Sequence, residues 1–297
     1  TKDGLSVIFI SHKLREVLTF SNRIAVLRHG EKVGEIATSD ANEKVIARMM
    51  VGEDTIENPR DKIELGNPIL ELHEISLIGD SARTSLKSSN LTIHQHEIVG
   101  IAGVSGNGQS VLAKLISGLL EPDSGTLNIN GENIKYFSPN EMQSLGVGRI
   151  PEDRHHDGVI GEMSVAENLI IERLNDKDIN TRGFLQNKEV NENAKQLIEK
   201  YDIRGPGVDA KASLLSGGNI QKLILARVFE CKPIVILANQ PTRGLDLGAA
   251  NEVARRLLEA RARGAGILLI SEDLDEIIAL SDRIIVIHNG SLTEAHN

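Results

Sequence analysis

Residues 103–110 read GVSGNGQS, and their types and spacing suit the binding of phosphate. Glycines at 103, 106 and 108 let successive backbone N–H groups face one anion, with Ser105 and Asn107 between them. The Ser110 hydroxyl stands where it would meet Mg²⁺. The spacing is Gly103-x4-Gly108 followed by Gln109-Ser110, and a phosphate loop of this length ordinarily carries Lys where Gln109 stands. Taken alone, the segment reads equally as a plain tight turn. A second Gly-rich turn, Leu215-Ser216-Gly217-Gly218, leads through Gln221 into the apolar-periodic helix Lys222 to Glu230. Its glycines expose N–H groups at a helix start, a second anion cradle, and Ser216 is placed to cap that helix.

The elements that must carry these residues follow from periodicity. Ile69 to Leu77 alternates apolar and polar residues, as a half-buried strand does. Ile98 to Ala102 is a strand, then comes the loop, then the apolar-periodic helix Val111 to Leu120; strand, Gly-rich loop, helix is the context phosphate binding requires. Pro233 to Ala238 is a short buried strand that ends in Asn239-Gln240-Pro241-Thr242. Arg243 to Asp246 turns into a helix, Asn251 to Ala262, and Ile267 to Ser271 is a further buried strand followed by Glu272. His94 and His96 alternate on a strand edge, without further ligands at metal-site spacing.

A repeat organises the chain. Residues 4–30, GLSVIFISHKLREVLTFSNRIAVLRHG, align without a gap with residues 264–290, GAGILLISEDLDEIIALSDRIIVIHNG. Gly4, Ser11, Glu16, Arg23 and Gly30 are among the identical positions, and His12 falls where Glu272 stands. Each copy reads as strand (Val7 to Ser11 in the first), turn, amphipathic helix, strand and Gly turn. The expected layout is therefore residues 1–52 as the end of one domain whose beginning is missing, 53–67 as a charged Pro/Gly-punctuated linker, and 68–297 as a nearly complete second copy.

The 297 residues are 40% hydrophobic and 25% charged, with a formal net charge of -9. This is globular composition, and its acidity disfavours nucleic-acid partners. Cys231 is the single cysteine, so no intrachain disulfide can form. No apolar run reaches the roughly 18 residues of a membrane span. Thr1-Lys2-Asp3 reads as no signal peptide, and the absent Met reads as a processed or cut end.

LSGGNIQ, QPTRGLD and EPDSGTLNING, from residues 215–221, 240–246 and 121–131, resemble the ATP-binding domain of ABC transporters. The resemblance runs over nearly the whole chain. The repeat, the GNGQS loop, Ile150-Pro151-Glu152-Asp153-Arg154 and LISEDLDEI are similar to one branch. That branch is the tandem ATPases of simple-sugar and nucleoside importers, nearest to those working with basic-membrane-protein-type lipoproteins. The resemblance implies an α/β P-loop NTPase fold with a mixed-sheet core, an antiparallel β subdomain and a helical subdomain.

It also implies ATP and Mg²⁺ as cofactors, each ATP lying between the phosphate loop of one domain and the signature of the other. On that pattern Gln109 replaces the phosphate-loop Lys, Asn239 the Mg²⁺-holding Asp and Gln240 the carboxylate that activates water. Glu272 replaces the switch His, and Glu152 the Gln that senses γ-phosphate. The region Ile75 to Ser81 has no aromatic to stack on adenine. His12 would keep the switch role for the missing domain's site, and Leu215, Ser216, Gly217, Gly218 and Gln221 would close over that same ATP. Asp246 would serve the domain-domain contact.

The implied partners are transmembrane permease subunits, an extracytoplasmic substrate-binding lipoprotein and the first ABC domain of the same chain, without nucleic acid. The implied place is the cytoplasmic face of the membrane. Two alternatives stay open: a catalytically inactive pseudo-ATPase module, and a soluble tandem ABC protein unconnected with transport.

Overall fold

The computed structural model describes residues 4–11, 14–28, 30–51, 61–79, 81, 85–181 and 184–294. The chain divides into two compact units, residues 1–59 with 244–252 and residues 60–243 with 253–297.

The smaller unit holds α1 (Leu14–Phe20), the antiparallel hairpin β1 (Arg23–Arg28) and β2 (Glu31–Ala37), and α2 (Glu43–Val51). Its core is Ile24, Val26 and Ile46, with Leu14, Val17, Leu18, Ile36 and Met49 packed against them. Val7 to Ser11, expected to be a strand, has no regular structure, and Val7, Ile8 and Ile10 are exposed. A strand is held by ladder bonds from its neighbours, and among the described residues none pairs with this segment.

The larger unit opens with β3 (Pro68–Leu77), β4 (Leu86–His94) and β5 (Ile98–Ala102). Then follow α3 (Gln109–Ile116), β6 (Ser124–Ile129), β7 (Glu132–Asn133), α4 (Pro139–Ser144) and β8 (Val147–Ile150). The middle is helical: α5 (Val165–Ile170), a two-residue-stranded hairpin β9 (Asn180–Thr181) and β10 (Phe184–Leu185), α6 (Asn187–Lys200) and α7 (Gly217–Glu230). β11 (Val235–Asn239), α8 (Leu247–Ala262, whose first residues fall in the smaller unit), β12 (Gly266–Ile270), α9 (Leu274–Leu280), β13 (Arg283–His288) and β14 (Ser291–Glu294) complete the chain.

Six strands form the central sheet in the order β14-β13-β5-β12-β11-β8, parallel except for β14. All five residues of β5 and of β12 are buried, because a parallel strand covered on both faces must be apolar throughout. A second, antiparallel sheet runs β4-β3-β6-β7. Between the two sheets, the core gathers Leu70, Leu72, Ile93, Leu112, Leu115, Leu127, Leu237 and Leu268, each at most 1% exposed. This is the expected mixed-sheet core with an antiparallel β subdomain and a helical subdomain.

Gly100 shows how closely the layers approach: a Cβ there would lie 2.2 Å from the Oγ of Ser281, the residue that caps the end of α9. α5 carries a capping box, the Ser164 hydroxyl accepting from Glu167 N–H while the Glu167 carboxylate accepts from Ser164 N–H. The helix expected from Lys222 begins earlier, at Gly217, and the one expected from Asn251 begins at Leu247. His96 is not on a strand; it sits in a turn at φ 65°, its Nδ1 2.9 Å from the Arg261 carbonyl. No helix among the described residues is long and apolar enough to cross a membrane.

The repeat persists in the elements. α1 starts at Leu14 and α9 at Leu274, β1 at Arg23 and β13 at Arg283, each at an offset of 260 residues. Both strands turn back through a glycine at nearly the same φ, 83° at Gly30 and 79° at Gly290.

Candidate functional site

Parallel strands pointing one way deliver their following loops to one edge of the sheet, where ligands of α/β proteins bind. Here the register sets Ile101 of β5 beside Ile270 of β12, Ile270 beside Asn239 of β11, and Ala238 beside Ile150 of β8. The residues just past these ends are Gly103 to Gln109, Ser271-Glu272, Gln240-Pro241 and Pro151-Glu152. The topology thus collects the candidate positions Gln109, Glu272, Asn239, Gln240 and Glu152 along one edge.

Loop 103–110 runs from β5 into α3. Gly108 takes φ 114°, a left-handed conformation that favours glycine, and starts α3. A Cβ at Gly103 would lie 2.7 Å from the Ile287 carbonyl. Ser105, Gly106 and Ser110 are exposed and Asn107 is half-buried. Gln109 does what a Lys could not. Its Oε1 accepts from Asn107 N–H at 2.9 Å and its Nε2 donates to the Val104 carbonyl at 3.0 Å. The side chain thereby closes the loop on itself and occupies the Asn107 N–H. Lys, a donor only, could not accept that bond.

Gln240 and Glu272 meet directly: Glu272 N–H donates to Gln240 Oε1 at 3.2 Å, and Gln240 N–H donates to the Ile270 carbonyl. Gln240 has φ 50°, so the turn after β11 is a special backbone position. An amide there cannot take a proton from water as a carboxylate does. Asn239 ends β11 half-buried, beside Ile270.

Glu152 points elsewhere. Its carboxylate is 2.6 Å from Arg243 Nη1, and the Arg154 guanidinium donates to the Arg243 carbonyl. Burial pushes the Arg154 pKa down, opposed by the Asp153 charge and aided by that of Arg243. Asp153 accepts the N–H groups of His155 and His156, bonds that hold its carboxyl below the usual range, with those of His156 foremost.

Of the signature residues, Leu215 and Gln221 are buried and Ser216 is exposed at the start of α7. Ser216 holds the cap position without capping. Its hydroxyl accepts from the Asn219 side-chain amide at 2.9 Å, so the first turn of α7 keeps its N–H groups. Gln221 donates to the Pro241 carbonyl at 2.8 Å, tying the signature helix to the turn after β11. Gly217 and Gly218 are half-buried in that first turn, and space around Gly218 is open. Asp246 accepts from Ala249 N–H at 2.9 Å at the head of α8. His12 lies outside the described residues, as do residues 53–60 of the expected linker.

Sequence reasoning missed Arg243 and Arg154. Arg243 stood in plain view inside QPTRGLD, but nothing local announces a partner 91 residues away.

A profile of the ABC transporter family matches residues 86–243, just over half of the chain. A glucose import ATP-binding protein of Haloferax volcanii is 42% identical over 98% of this chain and 54% of its own length. A nucleoside import ATP-binding protein of Lactococcus lactis is 38% identical over 98% of this chain and 58% of its own. A ribose import ATP-binding protein of Escherichia coli O157:H7 is 36% identical over 98% and 56%. The chain spans just over half the length of these curated relatives. Among solved structures, a nucleotide-free ATP-binding cassette from an ABC transporter has TM-score 0.63 at 26% identity, covering 76% of this chain and 90% of that one. A dimeric cassette bound to ADP and Pi has TM-score 0.64 at 23% identity, covering 77% and 100%, and so shares the fold. Profile, relatives and fold agree that this chain belongs to the ABC transporter family.

Proposed function

We propose that this chain is the carboxy-terminal part of a tandem ATP-binding subunit of an importer for nucleosides or simple sugars. Residues 1–52 end the first cassette, 53–67 link, and 68–297 are a second cassette whose own nucleotide site is degenerate. The observation that carries the reading is Gln109, whose amide satisfies the backbone of its own phosphate loop. Around it, Asn239, Gln240 and Glu272 supply neither the carboxylate that holds Mg²⁺, nor the base, nor the switch imidazole.

A charge-assisted bond contributes roughly 1.5–3 kcal/mol, so losing the Lys weakens ATP about ten- to hundredfold. Losing a general base slows hydrolysis by about 10²–10⁴. The second cassette instead lends Ser216, Gly217 and Gly218 to ATP held with Mg²⁺ in the first, where His12 is the switch. Closure of the pair on ATP drives permease subunits supplied with substrate by an extracytoplasmic binding lipoprotein, so the subunit works at the cytoplasmic membrane face. The relatives named for import of glucose, nucleosides and ribose support this reading.

The test is ATP turnover by the full-length protein with Gln109→Ala and, separately, the first phosphate-loop Lys replaced by Ala. The Lys change is expected to abolish turnover and Gln109→Ala to leave most of it; equal loss from both overturns the asymmetry.

A further inference from the structure

The resemblance places Glu152 where the family has a γ-phosphate-sensing Gln, yet a carboxylate repels a triphosphate, and this one is engaged by Arg243 at 2.6 Å. The loop that follows β8 is tied down repeatedly. Glu152 binds Arg243, and Arg154 donates to the Arg243 carbonyl. Asp153 accepts two backbone N–H groups of its own loop. The buried Arg227 of α7 donates to the Gly158 carbonyl at 2.8 Å. The same loop reaches the signature: a Cβ at Gly217 would lie 3.8 Å from His155 Nε2 and 3.9 Å from Arg154 Nε. Gln221 closes the circuit from α7 back to the turn that carries Arg243. Loop 151–158, turn 240–243 and α7 are therefore mutually braced by contacts among their own residues.

We propose that Glu152 and Arg243 are positioning residues, an ion pair that straps the loop after β8 to the turn after β11 and so presets the signature turn without nucleotide. The inference rests on the reading that this cassette lends its signature to the first one. It gives the degenerate site a purpose: contacts that would answer to a bound phosphate are replaced by a permanent internal one. Both side chains are more than a third exposed, 39% for Glu152 and 58% for Arg243, so the pair adds little to global stability. Its effect is read in turnover.

The experiment is steady-state ATP hydrolysis by the full-length protein. Arg243→Ala and Glu152→Ala are each expected to lower kcat about three- to fivefold, with KM for ATP within about twofold and Tm within about 2 °C of wild type. Glu152→Gln falls with them, whereas a sensor restored to Gln would gain. The reversed pair, Glu152→Arg with Arg243→Glu, recovers most of the rate. Wild-type kcat in the alanine variants, or a loss that the reversed pair leaves unrepaired, overturns the strap. Ser216→Arg separates the two readings. If it stops turnover while the alanine variants run at full rate, only the strap fails; if it leaves turnover intact, signature lending fails and the strap with it.

Discussion

Residues 4–30 and 264–290 carry one sequence pattern in two environments. In the later copy Gly266–Ile270 is the fully buried β12, with β5 on one side and β11 on the other. In the earlier copy the corresponding residues form no strand, and Ile8 is 94% exposed where Leu268 is 0%. The helix and hairpin that follow form in both. Helices satisfy their own backbone and a hairpin brings its own partner, whereas a central parallel strand exists only through its neighbours. Apolar run and strand are thus different claims, and a repeat can keep the first while its surroundings decide the second.

Polar details diverge as well. In the earlier copy the Ser11 hydroxyl donates to Glu16 at 2.9 Å. In the later copy the corresponding Glu276 carboxylate is buried, with the Ser271 and Thr242 hydroxyls beside it. Burial raises the Glu276 pKa, the nearby Ser271 and Thr242 hydroxyls opposing the shift.

The sharpest way to break the comparison is at His12 and Glu272, which the repeat aligns with each other. In the full-length protein His12→Ala should lower ATP turnover by about 10²–10⁴, and Glu272→Ala by less than about twofold. Similar losses would mean that the copies are functionally equivalent. Next in size is the core. In a polypeptide of residues 1–297, Leu268→Ala should destabilise by about 2–5 kcal/mol in urea unfolding and Ile8→Ala by less than about 0.5; a comparable loss at Ile8 would show that residues 5–11 are packed in it.

The smallest effect concerns Glu276. Its folded pKa lies above the unfolded one, so ionisation opposes folding. Stability is greatest below the unfolded pKa and is lost as pH rises through the folded one. Glu276→Gln should therefore gain on wild type from about pH 4 upward in urea midpoint. Parallel pH profiles would place the carboxylate in water.

Much of this was legible in the residues. The phosphate loop, the signature turn, the strands β5, β11 and β12 and the repeat each rest on local spacing, which sequence displays directly. The Gln109 substitution was legible too, but not that its amide would bond Asn107 N–H, which depends on how one side chain folds back. The Glu152–Arg243 pair, the burial of Glu276 and the idle cap hydroxyl of Ser216 are products of tertiary placement and leave no periodic trace. Residues 5–11 differ in the opposite sense: Val7 to Ser11 has the apolar pattern of a strand but forms none, because no neighbour among the described residues supplies ladder bonds.

The exposed stretch also bears on how the protein is handled. In a polypeptide of residues 1–297 alone, Leu5, Val7, Ile8 and Ile10 are exposed apolar side chains with no proline among them, a composition prone to intermolecular stacking. Expression begun at Asp61 discards this adhesive segment and keeps both sheets of the larger unit. That shorter polypeptide should aggregate less than residues 1–297, as static light scattering would check.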